Sequence, residues 1–444
     1  MNHRRDFLKM ATLAGLTRFG AMNALAAPAT DYKALVCIFM LGGNDGNNLI
    51  VPQTQSEFNK YKAARGSLAL PDGNAKLLPV TAATGGVPYA LTDGLSSIQP
   101  FWAQNKLAVV ANVGMLVQPT SRPQYQGNAV PLPTNLFSHS DQTVQMQAGI
   151  PSSSASTGWA GRVADAVSAM NAGKSFPPSV SLAGPALFSK GNIVQSASLI
   201  PGFGMQLYGF NSWPASASSA RQTAYQQVLT FNSGLTMIQA ADKIRQDAQN
   251  LGALLASVGN AAPMGTVFPS TSIGNQLKQI AQIFQLQSQI GLSRQIFFCS
   301  VGGFDTHSGQ SWQQWDLLKQ ISAGMLSLYN ATVELGIADK VTMFTESEFG
   351  RTLQPSGTGS DHGWGNHHLV MGGAVKGGDV YGQFPNMSLG GPDDSASRGA
   401  WIPSTSTDQF GATLAKWFGV DQNSLPAVFP NLAQFQIKDL GFMG

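Results

Sequence analysis

The chain has 444 residues, with 26 Lys and Arg against 23 Asp and Glu, for a formal net charge of +3. Arg4, Arg5, Lys9 and Arg18 against Asp6 already give residues 1–26 a net +3, so the remaining 418 residues are near neutral and a basic nucleic-acid surface is excluded. Charged residues make up only 11% of the chain, against roughly 25% in an average globular protein, and Ser, Gln, Asn and Gly take their place.

The N-terminus reads as an address. Arg4-Arg5-Asp6-Phe7-Leu8-Lys9 precedes a modestly apolar stretch that ends in Ala24-Leu25-Ala26-Ala27. A charged start, an apolar middle and a small-residue cleavage site make a signal peptide over 1–26, and the paired arginines point to the twin-arginine translocation machinery. His3, where Ser or Thr is usual, and Arg18 inside the apolar stretch are departures from that pattern. The expected destination is the periplasm or the medium. No later run of about 18 apolar residues exists, so no membrane span is expected in the mature form.

Ala34 to Leu41 is a continuous apolar run that ends in Gly42-Gly43-Asn44-Asp45. Residues 52–100 are rich in Gly, Pro and Ser and are expected to be irregular. Leu107 to Val113 is a further candidate strand. Residues 217–290 are Ala-, Gln- and Leu-rich with helical spacing, and predict a helical insertion between the halves of an α/β core. Gln295 to Val301 is a second apolar run, followed by Gly302-Gly303-Phe304-Asp305. Trp312 to Leu335 has helical spacing. Lys340 to Thr345 is a third run, before Glu346-Ser347-Glu348, and 376–404 is again expected to be irregular. Strands apolar throughout are those covered on both faces, as in a parallel sheet whose ligands gather at the carboxyl ends of its strands. Three such strands each deliver an acid there. Cys37 and Cys299 both sit in these runs and are expected to be buried thiols; there is no disulfide framework and no thiolate metal motif.

Five of the six histidines fall in three short polar clusters, each carrying an acid. They are Ser138-His139-Ser140-Asp141, Gly302-Gly303-Phe304-Asp305-Thr306-His307 and Asp361-His362-Gly363-Trp364-Gly365-Asn366-His367-His368. Carboxylates and imidazoles on short turns suit a hard or borderline divalent cation: zinc, calcium, manganese or magnesium. Asp45, Asp305, His307, Glu348 (or Glu346), Asp361 and His362 are the candidate ligands. His367 and His368 are adjacent and cannot both face one site. Two ions roughly 4 Å apart would clamp a phosphoryl or sulfuryl group and lower the pKa of a bound water. Arg351 could neutralise an ester's charge by bidentate contact.

The order of motifs carries a family resemblance: Leu41-Gly42-Gly43-Asn44-Asp45-Gly46-Asn47-Asn48, then the Ser138 to Gln142 and Thr157 to Arg162 segments, then Gly302 to His307, Ser347 to Thr352 and Asp361-His362-Gly363. The chain resembles the domain-of-unknown-function 1501 family, and Asp408 to Val420 resembles its closing helix. That family is similar to the alkaline phosphatase and sulfatase superfamily of metal-dependent hydrolases. The resemblance implies a three-layer α/β/α sandwich, alkaline-phosphatase-like, around a mostly parallel sheet, as a single domain over 27–444. It implies Asp45 as the first-strand metal aspartate, Asp305 and His307 as the later Asp/His pair, and Asp361 and His362 as the final metal-binding segment. One residue separates Asp305 from His307 where the superfamily has three, and Glu348 or Glu346 stands where an Asp-His pair is expected. The superfamily's nucleophile starts a helix after the first strand. Ser138 is the natural candidate, with His139 as an alternative acceptor or ligand and Ser138 as a plain helix cap. A formylglycine sulfatase motif is absent: neither cysteine fits, and Ser121-Arg122-Pro123-Gln124-Tyr125 lacks the final Arg.

The leading expectation is therefore an exported, metal-dependent hydrolase of phosphate or sulfate esters, acting on a small-molecule or polymer ester. The alternative is a catalytically degenerate scaffold of the superfamily that binds a ligand or partner without turnover. An oxidoreductase finds little support, since neither a dinucleotide glycine motif nor haem or iron–sulfur cysteines are present.

Overall fold

A computed structural model describes residues 31–71, 76–202, 213–232 and 263–444, with part of 234–253 between them. The leader expected at 1–26 lies outside the described residues. In chain order the strands are β1 (Lys33–Met40), β2 (Ile50–Pro52), β3 (Leu77–Thr81), β4 (Pro88–Thr92), β5 (Leu107–Gly114) and β6 (Ser179–Ser181). There follow β7 (Ala197–Ser198), β8 (Arg294–Val301), β9 (Val341–Glu346), β10 (Asn366–Gly372), β11 (Val380–Tyr381) and β12 (Thr405–Ser406). The main helices are α1 (Gln55–Arg65), α2 (His139–Ala148), α3 (Trp159–Ala166), α4 (Ala215–Thr230), α5 (Ser272–Gln285), α6 (Gln310–Glu334) and α7 (Thr407–Phe418).

The three apolar runs form the middle of a nine-stranded sheet with the order β11-β5-β10-β9-β1-β8-β6-β7, and β12 beside β5. β1 pairs in parallel with β8 on one side and β9 on the other. Along β1 successive side chains point to opposite faces. Val36 and Ile38 meet Ile273, Leu277, Ile321 and Met325 of α5 and α6. Leu35, Cys37 and Phe39 meet Met146, Trp159, Phe410 and Leu414 of α2, α3 and α7. Burial on both faces is why the run does not alternate, and each such side chain contributes about 1.5–3 kcal/mol by leaving water. The result is a three-layer α/β/α sandwich. Cys37 and Cys299 are buried free thiols, and they project to opposite faces of the sheet.

β10 alone runs antiparallel to its neighbours β9 and β5. A parallel return needs a long crossover, usually a helix, and residues 347–365 between β9 and β10 contain none. That reversal puts the loop before β10 at the same edge as the carboxyl ends of β1, β8 and β9. The site is built along this edge.

Two segments differ from expectation. Residues 52–100 are not irregular: they hold α1 and a small antiparallel sheet, β2-β4-β3. Its strands are three to five residues long, too short for composition to reveal, and Pro and Gly in the connecting turns mask them. Within 217–290, α5 is no insertion. Its Ile273, Leu277, Ile280 and Phe284 enter the core against α6 and β8. Segment 376–404 contributes only the two-residue β11 and is otherwise loop, as expected.

Candidate functional site

Asp305 sits in the turn after β8, held against the turn after β1. The amide of Phe304 donates to the Leu41 carbonyl. Gly42 lies alongside with φ +116°, and a Cβ there would stand 2.2 Å from the Asp305 nitrogen. Only glycine allows these two turns to touch.

Three imidazoles converge on one oxygen of Asp305. His307 Nε2 is 3.0 Å, His139 Nε2 3.4 Å and His362 Nε2 3.6 Å from Asp305 Oδ1. Two of the rings are anchored by hydrogen bonds through their other nitrogen, and the third faces a carboxylate at longer range. His362 Nδ1 is 2.8 Å from the Phe137 carbonyl. A carbonyl only accepts, so Nδ1 carries the proton and Nε2 presents a lone pair to the cluster. His139 Nδ1 is 2.9 Å from Glu348 Oε1, which turns its Nε2 inward in the same way. His307 Nδ1 is 3.6 Å from Asp361 Oδ1. Two Nε2 atoms, of His307 and His362, face each other at 3.1 Å. Imidazoles oriented by carboxylate or carbonyl partners, with lone pairs meeting at one point beside a carboxylate, are a donor set that fits a divalent cation. His139, Asp305 and His362 present ligand atoms that all lie within 4.8 Å of one another.

The surrounding charges differ from ring to ring. The hydrogen bond to Glu348 raises the His139 pKa despite partial burial, with Asp305 adding to the effect. Burial lowers that of His362, and His139, Arg351 and His307 lower it further, against the bond to Phe137. Burial works against ionising Asp305, but Arg351 and the three histidines outweigh it and hold its carboxyl below the usual range. Arg351 is itself buried; Nη2 donates to Asp305 at 2.8 Å, Nη1 to the Gly42 carbonyl at 3.2 Å and Nε to the Ser360 carbonyl at 3.1 Å. Arg398 pairs with Asp361 and, with burial opposing, keeps that carboxylate ionised.

The remaining sequence candidates take other positions. Asp45 is buried behind the cluster, where it pairs with Arg65 and accepts from Gln310 Nε2 and from Asn47. Glu348 accepts from the Gly42 amide at 2.7 Å as well as facing His139. Ser138 is the N-cap of α2: its hydroxyl donates to Asp141 Oδ2 at 2.5 Å and lies 3.1 Å from Ser140 Oγ. Glu346 points into the core beside Cys37 Sγ, 3.9 Å away, and burial raises its carboxyl well above the ordinary range. His367 accepts from the Asn112 amide and stacks on Phe384, and His368 faces Phe410; burial pushes both down to about 3. Neither joins the cluster.

Phe137, Arg65, Gln310 and Arg398 were missed from sequence. Phe137 acts through its backbone, which no residue type signals. Arg65 lies 20 positions beyond Asp45 in a helix of surface composition, and Arg398 in a loop of low complexity. Gln310 had one signal, its place just past His307.

Residues 32–428 match the family described as protein of unknown function DUF1501. The chain belongs to that family. No match appears among curated proteins. Among solved structures, this DUF1501 chain is similar to Ps i-CgsB in complex with k-i-k-neocarrahexaose, at 10% identity over 90% of this chain and 77% of that one, with a TM-score of 0.34. It is also similar to the PsFucS1 sulfatase from Pseudoalteromonas sp., at 8% identity over 98% and 76% of the two chains, TM-score 0.35. An alkaline phosphatase, PafA, in a substituted form, shares 10% identity over 73% and 64%, TM-score 0.27. TM-scores this low carry no activity across. The cluster of the DUF1501 chain offers a donor set that a cation would fit, with an ionised carboxylate in it and Arg351 beside it.

Proposed function

We propose that the mature protein is an exported metal-dependent hydrolase of phosphate or sulfate esters, with His139, Asp305, His307 and His362 as the metal ligands. The observation that carries this reading is the convergence of three Nε2 atoms on Asp305 Oδ1, with His139 and His362 hydrogen-bonded from behind. A bound divalent ion would polarise the ester and lower the pKa of a water. Glu348 and the Phe137 carbonyl hold His139 and His362 in the orientation that frees Nε2, and Asp361 faces His307 from the other side. Arg351 balances Asp305, so the carboxylate stays ionised in a half-buried place. Asp45 with Arg65 and Gln310 braces the turn that supports Gly42. The Arg4-Arg5 pattern in residues 1–26 supports export of a protein folded before translocation. Among the described residues no helix is long and apolar enough to cross a membrane.

One observation favours a second reading, a scaffold that binds without turnover: the Ser138 hydroxyl is turned to Asp141 instead of standing free as a nucleophile. Both readings are separated by one experiment. The purified mature protein is analysed for bound divalent metal and assayed on aryl phosphate and aryl sulfate esters, beside His362→Ala. The hydrolase reading expects about one equivalent or more of metal, lost in His362→Ala, and turnover that chelation stops. Bound metal with no turnover of either ester leaves the scaffold; under a tenth of an equivalent, unchanged by His362→Ala, defeats the metal centre altogether.

A further inference from the structure

Behind the cluster the chain diverges into two walls that share one anchor. Arg65 pairs with the Asp45 carboxylate and leads into Ser67–Pro71; Gln310 reaches the same carboxylate and leads into the first turns of α6. Between them lies a cleft of about 490 Å³, lined by Leu68, Leu70, Lys76, Asp93, Trp312 and Trp315 among others. Its volume is that of a small-molecule site, which typically spans roughly 300–1,000 Å³.

The lining is unusual for a surface hollow. Trp312 is 64% exposed, though a large aromatic left in water forgoes the stabilisation that burial would bring. The Trp312 and Trp315 rings meet edge to face, 6.1 Å apart at 81°, and form a corner with one open indole face. Lys76 and Lys319 hold their ammonium groups 5.2 and 4.8 Å from the Trp315 ring. Asp93 Oδ2 takes hydrogen bonds from Lys76 Nζ at 2.9 Å and Trp315 Nε1 at 3.0 Å. Its other oxygen, Oδ1, is buried and has no hydrogen-bond partner among the described residues.

We propose that this cleft binds a pyranose ring, with Trp312 stacked on the sugar's C–H face and Asp93 and Lys76 engaging its hydroxyls. A pyranose presents an apolar face and a rim of hydroxyls at once, which is the pairing the lining offers. A purely aromatic or aliphatic ligand would cover Lys76, whose side chain is 46% exposed, and give its ammonium nothing in exchange for water. Trp312 stands five residues past His307, so at most about 18 Å of chain separates the two. An oligosaccharide is long enough to span that distance, and the ester at the metal cluster would then be one carried on a saccharide. That last step rests on the ester-hydrolase reading; sugar binding in the cleft does not.

The test is affinity electrophoresis of the full mature protein, metal chelated, through gels containing dextran, xylan, alginate or dextran sulfate. At least one polysaccharide is expected to retard it, with Trp312→Ala binding at least tenfold more weakly and Trp312→Phe recovering most of the loss. Because Trp312 is exposed, these variants are expected to keep the parent's circular dichroism spectrum. No retardation by any of the four overturns the proposal. So does equal retardation of parent and Trp312→Ala, which would mark binding elsewhere on the protein, or a Trp312→Phe variant no better than Trp312→Ala. Retardation without ester turnover would sink the hydrolase reading and leave the cleft; turnover of aryl esters without retardation would do the reverse.

Discussion

His139 and His362 face one carboxylate oxygen, yet their protons are held differently. Glu348 stabilises the imidazolium of His139, whereas burial and three neighbouring cations disfavour that of His362. In the metal-free protein His139 is expected to titrate above the ordinary histidine value and His362 below it, as followed by NMR of the ring protons. Glu348→Gln removes the partner and should bring the two titrations together; an unchanged His139 curve would rule out Glu348 as its anchor. The sign of the linkage follows. A raised folded pKa contributes stability that is fully present below the unfolded value and is lost as pH rises through the folded one. A metal ion must displace the same proton, so the affinity of the site should fall as pH drops through the His139 titration. Glu348→Gln weakens this competition but also loosens the ring, and loss of an orienting partner typically costs about 10–100-fold in metal affinity.

The helix α7 carries a separate pH dependence that the site does not use. Asp408 sits in its first turn, accepts from the Asn431 amide at 3.1 Å, and is pushed up by burial to about 7. The unfolded chain releases this proton near pH 3.9, so across roughly pH 4–7 the folded state binds more protons and its stability falls as pH rises. Asp408→Asn mimics the protonated acid. It is expected to match the parent at pH 4 and exceed it at pH 8 by ~2 kcal/mol in urea denaturation, about half the full value of such a shift; a gap independent of pH would show that Asp408 is not the group responsible. Elements of this length were legible from sequence. β1, β8 and β9 were read from unbroken apolar runs, because burial on both faces writes itself into residue choice; α6 was read from helical spacing, and α7 only from the resemblance of Asp408 to Val420 to a family's closing helix. β2, β3 and β4 were not, because three to five residues carry no usable period. Within the site, the histidines and Asp305 were visible as clustered residue types. Their anchors were not, since Phe137 offers a carbonyl, Gln310 reaches Asp45 from 265 positions away, and Arg65, besides pairing with Asp45, donates to the distant Thr352 and Leu353 carbonyls. The sequence also grouped Asp45, Glu348 and Asp361 with the histidines, whereas the fold sets each of these carboxylates beside or behind the ring or turn it supports.

At the scale of the whole molecule, the cluster ties together parts that the chain keeps far apart. His139 begins α2 on one helical layer, Asp305 and His307 follow β8, and His362 lies in the loop before β10. An ion held by all of them would bind the folded state and not the unfolded one. At free metal about 1,000 times the dissociation constant, that linkage is worth ~4 kcal/mol. Unfolding entropy near 2.1 cal/mol/K per residue over roughly 400 residues gives ~0.8 kcal/mol per degree, so chelation should lower the melting midpoint by about 5 °C. Readdition of metal should restore it, and His362→Ala should start low and respond to neither treatment. The effect should also be local in its first stage. On chelation, amide exchange is expected to quicken at the start of α2 and in residues 358–364, while the buried centre of β1 keeps its protection. A midpoint and an exchange pattern that ignore chelation, in protein known to carry metal, would place the ion somewhere other than among these four residues.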